Sequence, residues 1–193
     1  MDYSSQQADF LCQRQAGRGQ WFLHSPQFQE WYNNPCFLRT CLVPIFSQAN
    51  QSTRLPRKPV TLFCPGIPGA GKTLLVSIVI DYLQRNLRDR DIGIAYLYCN
   101  FRRVDGQTVE QLLANLVKQL FSNEFPPPTA VLNAYAQHRK HRSQPSLSDL
   151  EEMFHAVAAL YKNGIFVNVD SLDECQMSDN VRSEFIEALL RLQ

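Results

Sequence analysis

The chain has 193 residues, 45% of them hydrophobic and 19% charged. That is enough for one domain with its own core, and too apolar for a disordered chain. A net charge of +1 gives no electrostatic basis for holding nucleic acid or an acidic membrane. The opening Met-Asp-Tyr-Ser-Ser-Gln-Gln lacks a basic stretch followed by an apolar one, so no signal peptide is expected. The longest apolar stretch, around Leu74 to Ile80, is too short to span a bilayer. The expectation is a cytoplasmic protein.

In chain order, residues 1–59 are expected to be an N-terminal aromatic segment followed by an irregular loop, and residues 60–193 the core. Gln13 to Gln20 is polar, and Trp21 to Tyr32 carries Trp21, Phe22, Phe28, Trp31 and Tyr32. Pro26 predicts the start of a short helix, with Phe28 and Trp31 one turn apart. Ser47 to Pro59 has no apolar period and predicts an exposed loop.

Three apolar runs predict strands: Val60 to Cys64, Ile92 to Cys99 and Ile165 to Val169. Each is apolar nearly throughout, as a parallel sheet covered on both faces demands. Helices are predicted between them. Leu74 to Arg88 follows the first strand. Thr108 to Phe121 follows the second, with Val109, Leu112, Leu113, Leu116, Val117 and Leu120 at helical spacing. Pro126-Pro127-Pro128 marks a turn, and Ala130 to Arg139 the next helix. Ser148 and Glu151 have the spacing of a capping box heading a helix through Met153, Phe154, Val157 and Leu160, which Gly164 ends. Asn180 to Leu190 is the last, with Val181, Phe185 and Leu189 on one face. Strands alternating with helices imply a three-layer α/β fold with a mostly parallel sheet.

Gly66 to Thr73 reads Gly-Ile-Pro-Gly-Ala-Gly-Lys-Thr, a complete G-x-x-x-x-G-K-[ST] phosphate-binding pattern. Gly66, Gly69 and Gly71 are expected to take φ > 0 and to let the backbone approach a polyphosphate. The amides of this loop, Ala70 included, would form an anion nest. Lys72 would place its ammonium on the β and γ phosphates. The Thr73 hydroxyl would hold a Mg²⁺ bridging them, and the following helix would add the positive end of its dipole. The flanking strand and helix are the context this pattern requires. The aromatic segment then has two open roles: an anchor packed on the core, or a cover for the nucleotide base.

Ile165 to Glu174 reads Ile-Phe-Val-Asn-Val-Asp-Ser-Leu-Asp-Glu. An apolar strand ending in Asp170 puts a carboxylate at the sheet edge where the phosphate loop also sits. Asp170 is the expected metal-side acid. Asp173 or Glu174 could orient and deprotonate an attacking water. Arg102 and Arg103 follow the second strand at the same edge, as phosphate contacts or as plain surface. His138 to Arg142 is a basic run expected to be a solvated helix end. The six cysteines include no C-x-x-C pair, so neither zinc nor a disulfide framework is expected. Cys64 and Cys99 end strands and should be buried, reduced thiols.

These motifs together resemble the NACHT class of STAND NTPases, of the fungal type with a nephrocystin-like N-terminal module. Gly17-Arg18-Gly19-Gln20-Trp21-Phe22 with Phe28-Gln29-Glu30-Trp31 is similar to the segment preceding the phosphate loop there, and Tyr96 to Arg102 is also similar. The resemblance implies that Lys72, Thr73, Asp170 and Asp173 match that family's nucleotide and Mg²⁺ site. It implies ATP or GTP as ligand, a role as a nucleotide-dependent switch in signalling assemblies, and other NACHT proteins as homotypic partners. Two departures stand out. Arg39 to Lys58 has no counterpart and reads as an insertion loop or translated non-coding sequence. The chain also stops at Gln193, ahead of the family's sensor arginine strand and helical and winged-helix parts. The expected consequences are an incomplete sheet with open apolar surface, and weak or no hydrolysis alone. The alternative is a non-catalytic interaction protein that assembles with, or interferes with, full-length receptors.

Overall fold

A computed structural model describes residues 3–15, 17–43, 61–64, 66–67, 69–87, 90–99, 108–121, 126–172 and 179–192. In chain order these form α1 (Tyr3–Cys12), α2 (Gln20–Leu23), α3 (Pro26–Tyr32), β1 (Leu38–Val43), β2 (Thr61–Phe63), α4 (Lys72–Asn86), β3 (Gly93–Tyr98), α5 (Val109–Leu120), α6 (Thr129–His141), α7 (Leu147–Ala158), β4 (Ile165–Asp170) and α8 (Asp179–Arg191). The strands make one sheet in the order β2-β1-β4-β3. All three pairings are parallel.

A parallel sheet needs helices on both faces, because its crossovers run over it. Every residue of β4 is buried accordingly. Successive side chains alternate between faces. Phe166 faces α3, where Trp31 meets it edge-on at 5.0 Å between ring centres. Phe28 of α3 reaches Tyr82 of α4, so α3 and α4 share this layer, with α1 packed on α4 and β3. Ile165 faces the other way. A Cβ on its register partner Gly93 would fall 2.6 Å from Ile165 and 2.8 Å from Leu120 of α5. Helices α5 and α7 cover this second face, α8 packs on α5, and α6 lies outermost on α7. The expected three-layer α/β fold is what the chain adopts.

The helical spacing reads correctly for α5, whose six apolar positions are all buried. Thr108 and Gln111 close a reciprocal capping box at its head. From the far side, the Gln119 amide donates to the Tyr96 carbonyl at 2.7 Å and accepts from the Tyr96 amide at 3.1 Å. It thereby acts as a partner for the outer edge of β3. The capping box of α7 lies two residues earlier than its sequence suggested. Ser146, not Ser148, accepts from the Asp149 amide at 3.2 Å, and the Asp149 carboxylate accepts from the Ser146 amide at 2.8 Å. Ser-x-x-Asp closes the same ring as Ser-x-x-Glu, with the shorter acid. The helix ends at Ala158, before the turn that holds Gly164.

Strand β1 is the main correction to the sequence reading. It runs from Leu38 into the Arg39 to Lys58 stretch that reads as an insertion loop, yet it sits between β2 and β4. Arg39 and Thr40 interrupt its apolar pattern and hide it. The tertiary structure accommodates both. The Arg39 guanidinium lies 4.1 Å from the centre of the Phe166 ring and donates to the carbonyls of Asn34 at 2.8 Å and Asn163 at 2.9 Å. Thr40 and Thr61 share a hydroxyl hydrogen bond of 2.7 Å. Residues 44–60 lie outside the described residues. The sheet thus takes strands from both sides of residue 60, and the aromatic segment is part of its cover.

Candidate functional site

The site is built at the carboxyl edge of the sheet, where β2 hands over to α4. The Cys64 amide donates to Leu42 at 3.1 Å and prolongs the β1–β2 ladder by one residue. The chain then turns through Gly66, Ile67 and Gly69 to Gly71 and enters α4 at Lys72. Pro65 and Pro68 lie outside the described residues. Gly69 and Gly71 have φ of 79° and 80°, the left-handed region that only glycine enters freely. Gly66 does not share it, contrary to expectation. Its constraint is space: a Cβ there would sit 3.3 Å from Lys72 Cδ.

Gly71 is the N-cap of α4 and brings no side-chain cap. The first-turn amides of a 15-residue helix are therefore left to face the loop mouth, with the positive end of the dipole behind them. Lys72 Nζ donates to the carbonyls of Gly66 at 2.7 Å and Ile67 at 2.8 Å. Its ammonium is held over the loop instead of extending into solvent. Thr73 follows in the same turn, half-buried, while Gly69, Ala70 and Gly71 are exposed.

Above this loop opens a cleft of about 340 Å³, lined by Arg18, Trp21, Gly69, Gly71, Leu75 and Ile78 among others. The volume is at the lower end of small-molecule sites. One wall comes from the N-terminal segment. Gly19 packs so closely that a Cβ would fall 2.7 Å from Ile78 Cδ1, and this contact carries Arg18 and Trp21 to the rim. Trp21 is 72% exposed, whereas Phe22, Phe28 and Trp31 are buried. The aromatic segment therefore divides. Those three rings are anchor, as one sequence reading had it, together with the half-buried Tyr32 stacked on Phe28 and Phe166, and Trp21 alone of the five stands over the loop.

Asp170 ends β4 at the same edge of the sheet and is 1% exposed. Strands β4 and β2 are separated by β1. Asp170 thus stands two strand spacings, roughly 10 Å, from the line of β2. Its register partners are Tyr98 on β3 and Val43 on β1. Burial first, and the Asp170 carboxylate next, push the Tyr98 phenol well above its usual range. The Tyr98 hydroxyl donates to Gln7 Oε1 of α1. Beneath the loop, Cys41 and Cys64 are free thiols in contact. The hydrogen bond with Cys64, followed by burial, raises the Cys41 thiol well above its ordinary range. Cys41 gave no signal in the sequence because its strand gave none.

The structure brings Gly66, Gly69, Ala70, Gly71, Lys72, Thr73 and Asp170 to one sheet edge. Asp173, Glu174, Arg102 and Arg103 lie outside the described residues. His138 departs from the solvated basic run. Its side chain is 14% exposed, with Nε2 3.4 Å from Asp149 and Nδ1 2.8 Å from the Ser143 hydroxyl. Among the described residues no three His, Cys, Asp or Glu side chains gather as a metal-holding group, and no helix is long and apolar enough to cross a membrane.

No curated protein and no solved structure matches the chain at a significant level. The profile of the family described as nephrocystin 3, N-terminal, matches residues 17–193, which takes in β1 to β4, both flanking helical layers and the cleft, and leaves only α1 and its tail outside. The chain belongs to the nephrocystin 3 N-terminal family.

Proposed function

We propose that the chain is a Mg²⁺-dependent module of NACHT type that binds ATP or GTP and serves as a signalling switch, with weak or no hydrolysis on its own. The observation that carries this reading is the uncapped start of α4, with left-handed glycines before it and the Lys72 ammonium held over the loop. Converging amides, a helix dipole and a fixed cation make an anion site suited to a polyphosphate. The cleft beside it has an indole wall of the size a purine needs.

Magnesium fits the oxygen donors available. Thr73 Oγ and the Asp170 carboxylate are hard ligands, and Mg²⁺ keeps most of its waters, so two protein groups suffice. When bound, the ion would offset the charge of the β and γ phosphates. Lys72 would exchange its loop carbonyls for phosphate oxygens. Asp173 and Glu174 remain the acids proposed to orient water.

The test is calorimetric titration with MgATP and MgGTP. Wild type is expected to bind one of them in the micromolar range, and Lys72→Ala to lose at least tenfold, about 1.4 kcal/mol. Equal binding by both proteins would refute the reading.

A second reading is an interaction protein that assembles with related NACHT chains. The edge of β2 favours it: among the described residues no strand pairs its outer side, and Phe63 there is 49% exposed. Light scattering with nucleotide present would show a lone monomer if this reading is wrong.

A further inference from the structure

Helix α6 is the outermost element, and none of its residues is fully buried. It faces α7 with a narrow row, Val131, Ala134 and His138, each half-buried. Spacings of three and four make this one helical stripe. The next row is Leu132, Tyr135 and Arg139, at the same spacings, and it is turned outward. Leu132 is 50% exposed and Tyr135 63%, where the outer face of a surface helix is normally polar.

Beside this row opens a groove of about 450 Å³. Val131, Ala134 and Met153 give it apolar walls, and Tyr135 and Arg139 line it as well. Arg142 ends α6 in the left-handed region, at φ 49°, and the Ser143 amide donates back to the His138 carbonyl at 3.1 Å. That turn brings Ser143 and Pro145 into the lining. The groove therefore has an apolar body and an end that carries the basic run.

His138 is engaged inward, with Asp149 at 3.4 Å and Ser143 at 2.8 Å, and Asp149 also closes the cap of α7. Among the described residues no acid pairs with Arg139, Lys140 or Arg142. The negative end of the α6 dipole favours cations in the last turn, but it does not explain the apolar row that leads to them. The whole chain carries only +1, so the positive charge here is a local concentration. A long polyanion binds through many contacts along a basic face, and three cations at one helix end offer few. Cations beside apolar walls complement a short segment whose carboxylates flank an apolar side chain.

We propose that the groove between α6 and α7 is a docking site for an acidic segment of a partner protein. An aliphatic or aromatic side chain enters between Val131, Ala134 and Met153, and carboxylates meet Arg139 and Arg142. Arg139 supplies a planar fork that matches a carboxylate, and Tyr135 a ring of the kind that dominates such contacts. The groove lies on the opposite face of the sheet from α4, so the proposal does not depend on the nucleotide reading.

The experiment selects binders from a phage-displayed library of short random peptides, with the whole chain as bait. A synthetic copy of a selected peptide is then titrated by fluorescence polarisation. Selected peptides are expected to combine Asp or Glu with Leu, Ile or Phe, and to bind more weakly as salt rises. Tyr135→Ala is expected to lower affinity about tenfold, as truncation of an interface aromatic does, and Arg139→Gln several-fold. Both side chains are exposed, so melting temperatures should stay at the wild-type value. Arg139→Glu is expected to prefer a copy of the peptide with Lys in place of its acids, a reversal that lost packing cannot produce. A selection that yields no binder, binders without acids, or equal affinity in all three variants overturns the proposal. Binding confined to phosphatidylserine vesicles or to single-stranded DNA, tested in parallel, also overturns it. So does a dimer in light scattering that Arg139→Glu dissolves, because the occupant would then be a second copy. Lys72→Ala is expected to bind the peptide like wild type, and a loss there would move the peptide to the phosphate loop and overturn the proposal.

Discussion

The indole nitrogen of Trp31 donates to the carbonyl of Thr40 at 2.9 Å in a fully buried contact. That bond ties the aromatic helix α3 to β1, the strand its sequence concealed. The ring also meets Phe166 edge-on, so Trp31 links the helical layer to two adjacent strands. Trp31→Phe is expected to destabilise the fold by about 1–3 kcal/mol, through the lost bond and the poorer fit. Trp31→Ala should lose about 3–5 kcal/mol. Urea unfolding measures both. Values within error of wild type would mean that α3 is not a working part of the core.

Trp21 is the exposed counterpart of that anchor. If it stacks on a purine, Trp21→Ala should weaken nucleotide binding by about 1–3 kcal/mol, the usual worth of a base on an aromatic face. It should leave the unfolding free energy within about 0.5 kcal/mol of wild type, as surface changes do. An indole fluorescence change on titration with nucleotide would report the same contact. Loss of stability without loss of affinity would assign Trp21 to packing instead.

The thiols should separate by environment. Cys12 and Cys36 are exposed, and Cys41 is buried, with a pKa raised well above its ordinary range by Cys64 and burial. Only the thiolate alkylates. Iodoacetamide at pH 8 is expected to label Cys12 and Cys36 within minutes and to leave Cys41 untouched until urea is added. Peptide mass mapping reads the order, and early labelling of Cys41 would show that β1 opens.

The head of α7 should respond to acid. Hydrogen bonds from the Ser146 side chain, then from its backbone, hold Asp149 below the usual aspartate value. A depressed folded-state pKa adds stability above the unfolded value, near 4, and that stability fades as pH falls through the depressed one. Wild type is therefore expected to lose melting temperature below about pH 4 by more than Asp149→Asn does. Parallel melting curves for the two proteins across that range would remove the capping role.

How much of this was legible depended on how local each signal is. The α5 face was readable residue by residue, because period and cap both lie within 14 residues of sequence. The α7 cap was misplaced because Ser146 and Ser148 both offer a hydroxyl, and only the bond to the Asp149 amide distinguishes them. Strand β1 was unreadable because the groups that make Arg39 acceptable, Phe166 and Asn163, come from more than 120 residues further along the chain.

The same division holds for the site. The glycines, Lys72 and Thr73 at the head of α4, and an acid at the end of an apolar strand, were legible from the chain alone, because each is a short pattern with its own local chemistry. The strand order was decided in three dimensions, and with it the distance between that acid and the loop. So was the selection of Trp21 over its neighbours as the exposed ring, since burial depends on which surface a ring meets. The donation of Tyr98 to Gln7 belongs to the same class. Two residues separated by 91 positions have no local pattern, and only the packing of α1 onto β3 and α4 fixes which of them gives the proton.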